Sequence, residues 1–147
     1  MGARRSRAPG ERGSVIARLT TFLWISLGAV LGANLRYAVS RLCAQWLGAG
    51  FPYGTLAVNV AGSFAAGLAG GLVAAGLVSR PEIVQRLFIV GFLGSLTTFS
   101  SLMYETNSLV GDGEWTRAVL NIVLSLVAGL GGVRLGVDLA ARMGGMA

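Results

Sequence analysis

Hydrophobic residues in this chain fall into four long runs that charge barely interrupts: Leu19 to about Ser40, Gly54 to Val78, Leu87 to Val110 and about Trp115 to Val137. The shortest uncharged cores, Leu19 to Leu35 and Ala118 to Val133, hold 17 and 16 residues. That is close to the lower limit of about 17 for a helix crossing ~30 Å of hydrocarbon. Arginines that snorkel from their ends lengthen them. The connections are short and carry breakers: Gly48-Ala49-Gly50-Phe51-Pro52, Ser79-Arg80-Pro81 and Gly111-Asp112-Gly113. The pattern predicts an all-α membrane protein of four transmembrane helices, with neighbours antiparallel.

One stretch departs from the apolar pattern. Gly91 to Glu105, in the middle of the third run, contains two glycines, paired threonines and paired serines. A plain anchor needs none of these. In hydrocarbon every backbone N–H and C=O must find a partner inside the protein, so an interruption at mid-depth survives only where it lines a cavity or binds an ion. The third helix is therefore expected to be broken mid-membrane. Freed carbonyls at such a break suit a hard cation such as Na⁺, and Gly94 permits the dihedrals required; a simple glycine kink is the rival account.

Polar residues elsewhere at depth are few and recur at one-turn spacing: Asn59 with Ser63, Ser101 with Glu105, and Asn121 with Ser125. Taken singly, each pair suits interhelical hydrogen bonding as well as a pathway. Taken together, the neutral amides and hydroxyls suit an anion that must be dehydrated and then released. Phe99 adds the positive rim of an aromatic quadrupole, although a core aromatic is the plainer reading of any single Phe. Small residues four apart, Gly28 and Gly32, Gly62-Ala66-Gly70-Ala74, and Gly132 and Gly136, read as faces where helix backbones touch.

Composition narrows the classes. The 147 residues are 54% hydrophobic and 12% charged, with a mean hydropathy of +0.69, too apolar for an ordinary soluble domain. All 12 basic residues are arginine, against six carboxylates. They cluster at the N-terminal arm and at segment ends, which favours topology and lipid headgroups over nucleic acid. With no His or Lys, neither a zinc or haem ligand set nor a nucleophile, base and acid set can be assembled, so an enzyme is not expected. Cys43 reads as a small apolar filler. Residues 1–18 read as a disordered basic arm, 19–142 as a single four-helix membrane domain and 143–147 as a short tail. The first run is longer than a signal core and ends in Asn-Leu-Arg-Tyr, so it is read as retained.

From about Gly28 to Gly136 the sequence resembles the small four-helix fluoride channels of the Fluc or CrcB family. Three motifs carry the resemblance in order: G-A-N-L-R-Y at Gly32 to Tyr37, G-T-L-A-V-N-V-A-G-S-F at Gly54 to Phe64, and G-F-L-G-S-L-T-T-F-S at Gly91 to Ser100. The resemblance implies a dual-topology antiparallel dimer in the cell membrane, passive and selective for fluoride, with two pathways along the subunit interface. It also implies one structural Na⁺ at the dimer axis that is not transported. By motif position Gly94 and Thr97 look like backbone-carbonyl ligands of that ion. Asn59 looks like a pore amide, Phe99 the first pore phenylalanine, and Ser100 and Ser101 complete an anion-facing strip. Asn121 and Ser125 look like the fourth-helix polar track. Arg36 resembles an arginine near the aqueous vestibule, where positive charge concentrates anions, and Glu105 matches a position at the vestibule's inner end.

One position breaks the pattern: Leu102 stands where the family places a second pore phenylalanine, and leucine has no quadrupole. Charge counting adds to this. Arg4, Arg5, Arg7, Arg12, Arg18, Arg80, Arg86, Arg134 and Arg142 lie on the side of the N-terminus, and Arg36, Arg41 and Arg117 on the other. Both termini are therefore expected in the cytoplasm. The partner is then either a second copy or an oppositely inserted paralogue, with the chain as a non-conducting subunit as one variant. A small proton-coupled multidrug exporter is the competing class, but it needs a carboxylate in the first helix, and none lies between Arg18 and Arg36. A non-transporting scaffold would explain the glycine faces and leave the buried polar set unexplained.

Overall fold

The computed structural model describes residues 9–145. Helix α1 spans Pro9–Leu47 and α2 spans Tyr53–Ala74. The third span, Pro81–Gly111, is composite: α3 (Pro81–Ile83), a π-helical stretch Val84–Leu93, one turn of helix α4 (Gly94–Leu96), and α5 (Phe99–Gly111). Helix α6 spans Trp115–Met143. Four segments are long and apolar enough to cross a membrane, and the described residues contain no strand. The chain is a multi-pass membrane protein.

Element ends follow local chemistry. Gly76 (φ 71°) and Gly113 (φ 79°) each stand two residues past a helix, in the left-handed region that favours glycine. After α2 the Gly76 N–H reaches the Val73 carbonyl and the Leu77 N–H the Leu72 carbonyl; after α5 the Gly113 and Glu114 N–H groups do the same with Val110 and Leu109. These paired bonds satisfy the last carbonyls of each helix. They stop α2 at Ala74, short of the Val78 read from hydropathy alone. The opposite difference occurs at the start. The backbone of residues 9–18 continues α1, with Pro9 at its first position, where a missing N–H costs nothing. Residues 1–8 of the expected arm, with Arg4, Arg5 and Arg7, and residues 146–147 of the tail lie outside the described residues.

The helices pack in two pairs, α2 on α6 and α1 on the π-helical stretch. Backbone contact holds both. A Cβ on Gly67 would run into the Val133 carbonyl, and one on Gly136 would run into the Phe64 carbonyl and lie 2.5 Å from the Leu68 nitrogen. Of the row Gly62-Ala66-Gly70-Ala74, Gly62 abuts the Thr97 methyl while Gly70 faces open space, so α2 meets α6 through Gly67 and Gly71 instead. The core proper is small, with Val58, Leu93 and Leu96 buried and Phe88, Phe92 and Val39 packed around them. Many large apolar side chains stay exposed, among them Phe22, Leu130 and Val127, which is the surface a hydrocarbon solvent requires.

Candidate functional site

The third span leaves the helical path at two residues. Thr97 (φ −81°, ψ 154°) and Thr98 (φ −154°, ψ 115°) are extended between α4 and α5. Each threonine secures one flank. Thr97 Oγ1 donates to the Leu93 carbonyl (2.9 Å), ending the first half. Thr98 caps the second half by accepting from the Ser101 N–H (3.2 Å), satisfying one of the donors an N-terminus leaves open. The Thr98 hydroxyl also donates to Ser101 Oγ (3.1 Å) and lies 3.2 Å from Ser100 Oγ.

Asn59 of α2 bridges to this break. Its Oδ1 accepts from the Thr98 N–H (2.8 Å) and its Nδ2 donates to the Thr98 carbonyl (3.2 Å). The two N–H groups that α-helical or 3₁₀ geometry would bring to the Gly94 carbonyl are those of Thr98 and Thr97. The first goes to Asn59 and the second to Leu93 (3.0 Å). Gly94 is exposed, and a Cβ there would meet nothing nearer than 3.8 Å. The carbonyls of Gly94 and Thr97 are hard oxygen donors of the kind an unwound helix offers a cation. Among the described residues no group of three His, Cys, Asp or Glu side chains could hold a metal, so carbonyls are the donor set to consider.

A cavity of about 400 Å³ opens beside the break. It brings together Asn59 and Ser63 from α2, Gly94, Thr97, Thr98, Phe99 and Leu102 from the third span, and Ser125 from α6, with no charged side chain on its wall. Ser125 is 7% exposed and its Oγ has no hydrogen-bond partner. Phe99 is 70% exposed on the open side of the cavity, whereas Leu102 is 3% exposed.

Asn121 lies apart from this cavity. It is wholly buried, donating to Thr106 Oγ1 (2.9 Å), and Thr106 in turn donates to the Leu102 carbonyl (2.7 Å); Asn121 Oδ1 has no partner. Ser100 and Ser101 sit behind the break around the Thr98 hydroxyl and not on the cavity wall.

A second cavity, of about 450 Å³, lies where α1 ends, α2 begins, α5 ends and α6 begins. Here the side chains are charged. Glu105 accepts from Thr55 Oγ1 (2.7 Å), and Asp112, Glu114 and Arg117 line the mouth, with Arg117 3.3 Å from Glu114. Arg36, read from sequence as a vestibule residue, is half-buried on α1 and lines neither cavity. It sits about three turns before the C-terminal end of a helix that continues to Leu47. Thr55, Thr98 and Thr106 are not among the site residues expected from the sequence. Thr55 had a signal, since Thr55, Asn59 and Ser63 repeat at one turn along α2.

Residues 23–137 match the family described as CrcB-like protein, Camphor Resistance (CrcB). The chain is 48% identical over 116 residues to the "Fluoride-specific ion channel FluC" of Roseiflexus sp. (strain RS-1), covering 79% of this chain and 93% of that one. It is 45% identical over 124 residues to the protein of the same name from Aeromonas salmonicida (strain A449), covering 84% and 98%. A third, from Chloroflexus aurantiacus (strain ATCC 29366 / DSM 635 / J-10-fl), is 40% identical over 127 residues, covering 86% and 100%. The chain belongs to the CrcB-like family.

Proposed function

We propose that this member of the CrcB-like family is a fluoride-selective channel that lets cytoplasmic fluoride leave passively down its gradient, working as a dimer of oppositely inserted subunits. The observation that carries the reading is the neutral cavity at the break. A small anion leaving water at mid-depth needs hydrogen-bond donors in place of its hydration shell. A cationic side chain pointing into the cavity would hold it too tightly, and a carboxylate would repel it. The unpartnered Ser125 hydroxyl, the second amide proton of Asn59 and the exposed Phe99 beside them meet that requirement.

A second subunit is part of the reading. The cavity is walled by one chain on one side only, and the large, mostly exposed Phe99 and the exposed Gly94 stand at its open edge. Carbonyls of Gly94 and Thr97 fit a resident Na⁺ at the subunit boundary, where the ion would supply a positive charge tying the two breaks together. One chain offers too few oxygens for such an ion, so the partner would contribute the rest. The partner is a second copy or an oppositely inserted paralogue. The buried Leu102 favours the paralogue in one respect, since it places an aliphatic group on the cavity wall.

The test is fluoride-electrode efflux from liposomes holding this chain alone, with Phe99→Ile beside it. The expected result is fluoride efflux well above empty liposomes, little chloride efflux, and a large loss in Phe99→Ile. Efflux equal to empty liposomes would refute the self-sufficient channel and direct the experiment to co-expression with a paralogue. Equal chloride and fluoride efflux would refute selectivity. The exporter reading fails if efflux is indifferent to an imposed proton gradient.

A further inference from the structure

We propose that Asn59 is a positioning residue for the carbonyl cradle: by holding both backbone polar groups of Thr98 it withdraws the hydrogen bond that would close on Gly94. This rests on the reading of Gly94 and Thr97 as oxygen donors to a resident cation.

Sequence alone makes Asn59 a pathway amide, a donor aimed at the permeating ion. The geometry gives its side chain a prior engagement. An α-helix running through residues 94–98 would spend the Thr98 N–H on the Gly94 carbonyl. Here that N–H is 2.8 Å from Asn59 Oδ1, and the Thr98 carbonyl takes Asn59 Nδ2 at 3.2 Å. A primary amide is the neutral side-chain group that presents donor and acceptor side by side, as a neighbouring strand's backbone would. Asn59 therefore substitutes for the missing helical bonds on both sides of one residue. In an apolar setting those bonds cannot be left to water, so the break depends on them.

Neighbouring contacts hold the clamp in register. Gly62, one turn after Asn59 on α2, leaves the space that the Thr97 methyl fills, so α2 seats both threonines of the break. Thr97 is also fixed from its own side through Leu93. With Thr97 and Thr98 pinned, the Gly94 carbonyl has lost its α-helical and 3₁₀ donors, and Gly94 itself is exposed on the cavity wall. A cradle of this kind is preformed: the cation does not have to break a helical hydrogen bond to reach its oxygen.

The full chain in lipid nanodiscs carries the test, with two readouts. The first is residue-resolved amide hydrogen exchange at Thr98. The wild-type amide should be protected and should exchange roughly tenfold faster or more in Asn59→Ala, the scale of one lost buried hydrogen bond. The second is thermal unfolding in Na⁺ against N-methylglucamine. Wild type should be stabilised by Na⁺, with Asn59→Ala needing roughly tenfold more Na⁺ for the same gain. An unprotected Thr98 amide in wild type overturns the clamp without any variant, should Asn59→Ala fail to fold. A wild-type Na⁺ response that Asn59→Ala leaves unchanged overturns the proposal while the cation reading stands. Absence of any Na⁺ response in wild type removes the cation reading, and this proposal with it.

Discussion

The two cavities are of similar size and opposite chemistry. The one at the break has no ionisable side chain on its wall and presents amide, hydroxyl and aromatic groups; the one at the far end presents Glu105, Asp112, Glu114 and Arg117. Depth accounts for the difference. An unpaired charge at mid-membrane costs several kcal/mol, whereas the same charge at a water-filled end costs little and is screened by salt. An ion that passes both meets long-range electrostatics at the mouth and short-range hydrogen bonding at the centre. On the proposed reading, the far-end cavity would adjust the local concentration of the ion and the cavity at the break would select its identity.

The most severe way to break this contrast is to put the same charge in both places. Ser125→Asp should cut fluoride efflux by about 100-fold or more, because a buried carboxylate facing the neutral cavity repels an anion over a short, poorly screened distance. Ser108→Asp, on the far-end wall where Ser108 is exposed, should change efflux by no more than roughly twofold. Equal losses at the two sites would end the division of labour drawn here.

Packing offers a second test of which cavity depends on the break. Gly62→Leu would push into the Thr97 methyl and displace the break, so efflux should fall by about tenfold or more and thermal stability should drop, by ~1–3 kcal/mol for an overpacked site. Gly70→Ala faces open space on the same helix and should leave both within error or raise stability slightly, measured by nanodisc thermal unfolding.

Smaller effects belong to the mouth. Arg117 is the one cation on the far-end wall, beside three carboxylates. Arg117→Gln should lower efflux by roughly threefold at low ionic strength and by much less in molar salt, where screening shortens to about 3 Å. A loss that ignored salt would assign Arg117 a local, structural part. Least is expected from Leu102→Phe. It adds a ring to the cavity wall, but at a buried position, so a modest loss of stability should accompany at most about a twofold gain in efflux.

Much of the candidate site was legible because membrane burial makes polar residues conspicuous. Asn59, Ser63 and Ser125 stood out from apolar surroundings by type, whereas Phe99 was marked by motif position, and the structure gathers all four on one cavity with Gly94 and Thr97. Asn121 and Glu105 stood out the same way yet went to other partners, Thr106 and Thr55, since spacing along a helix says which face a residue shares and nothing about what lies opposite. The glycine rows show the same limit. Small residues four apart recur on more than one face of α2, and only packing distinguishes Gly67 and Gly71, which meet α6, from Gly70, which meets nothing.

Sequence by itself determined the number of spans, the short connections between them and the place of the interruption at Gly91 to Glu105. Hydrophobicity and backbone chemistry are properties of local segments, so they can be read in order along the chain. Tertiary structure alone decided that Asn59 grips Thr98 across 39 residues, that the third span widens to a π-helix over Val84–Leu93 where it packs on α1, and that Arg36 stays out of both cavities. Each of these depends on which faces of the helices meet. That choice is set by backbone contact at glycines such as Gly67 and Gly136, whose partners come from distant parts of the chain.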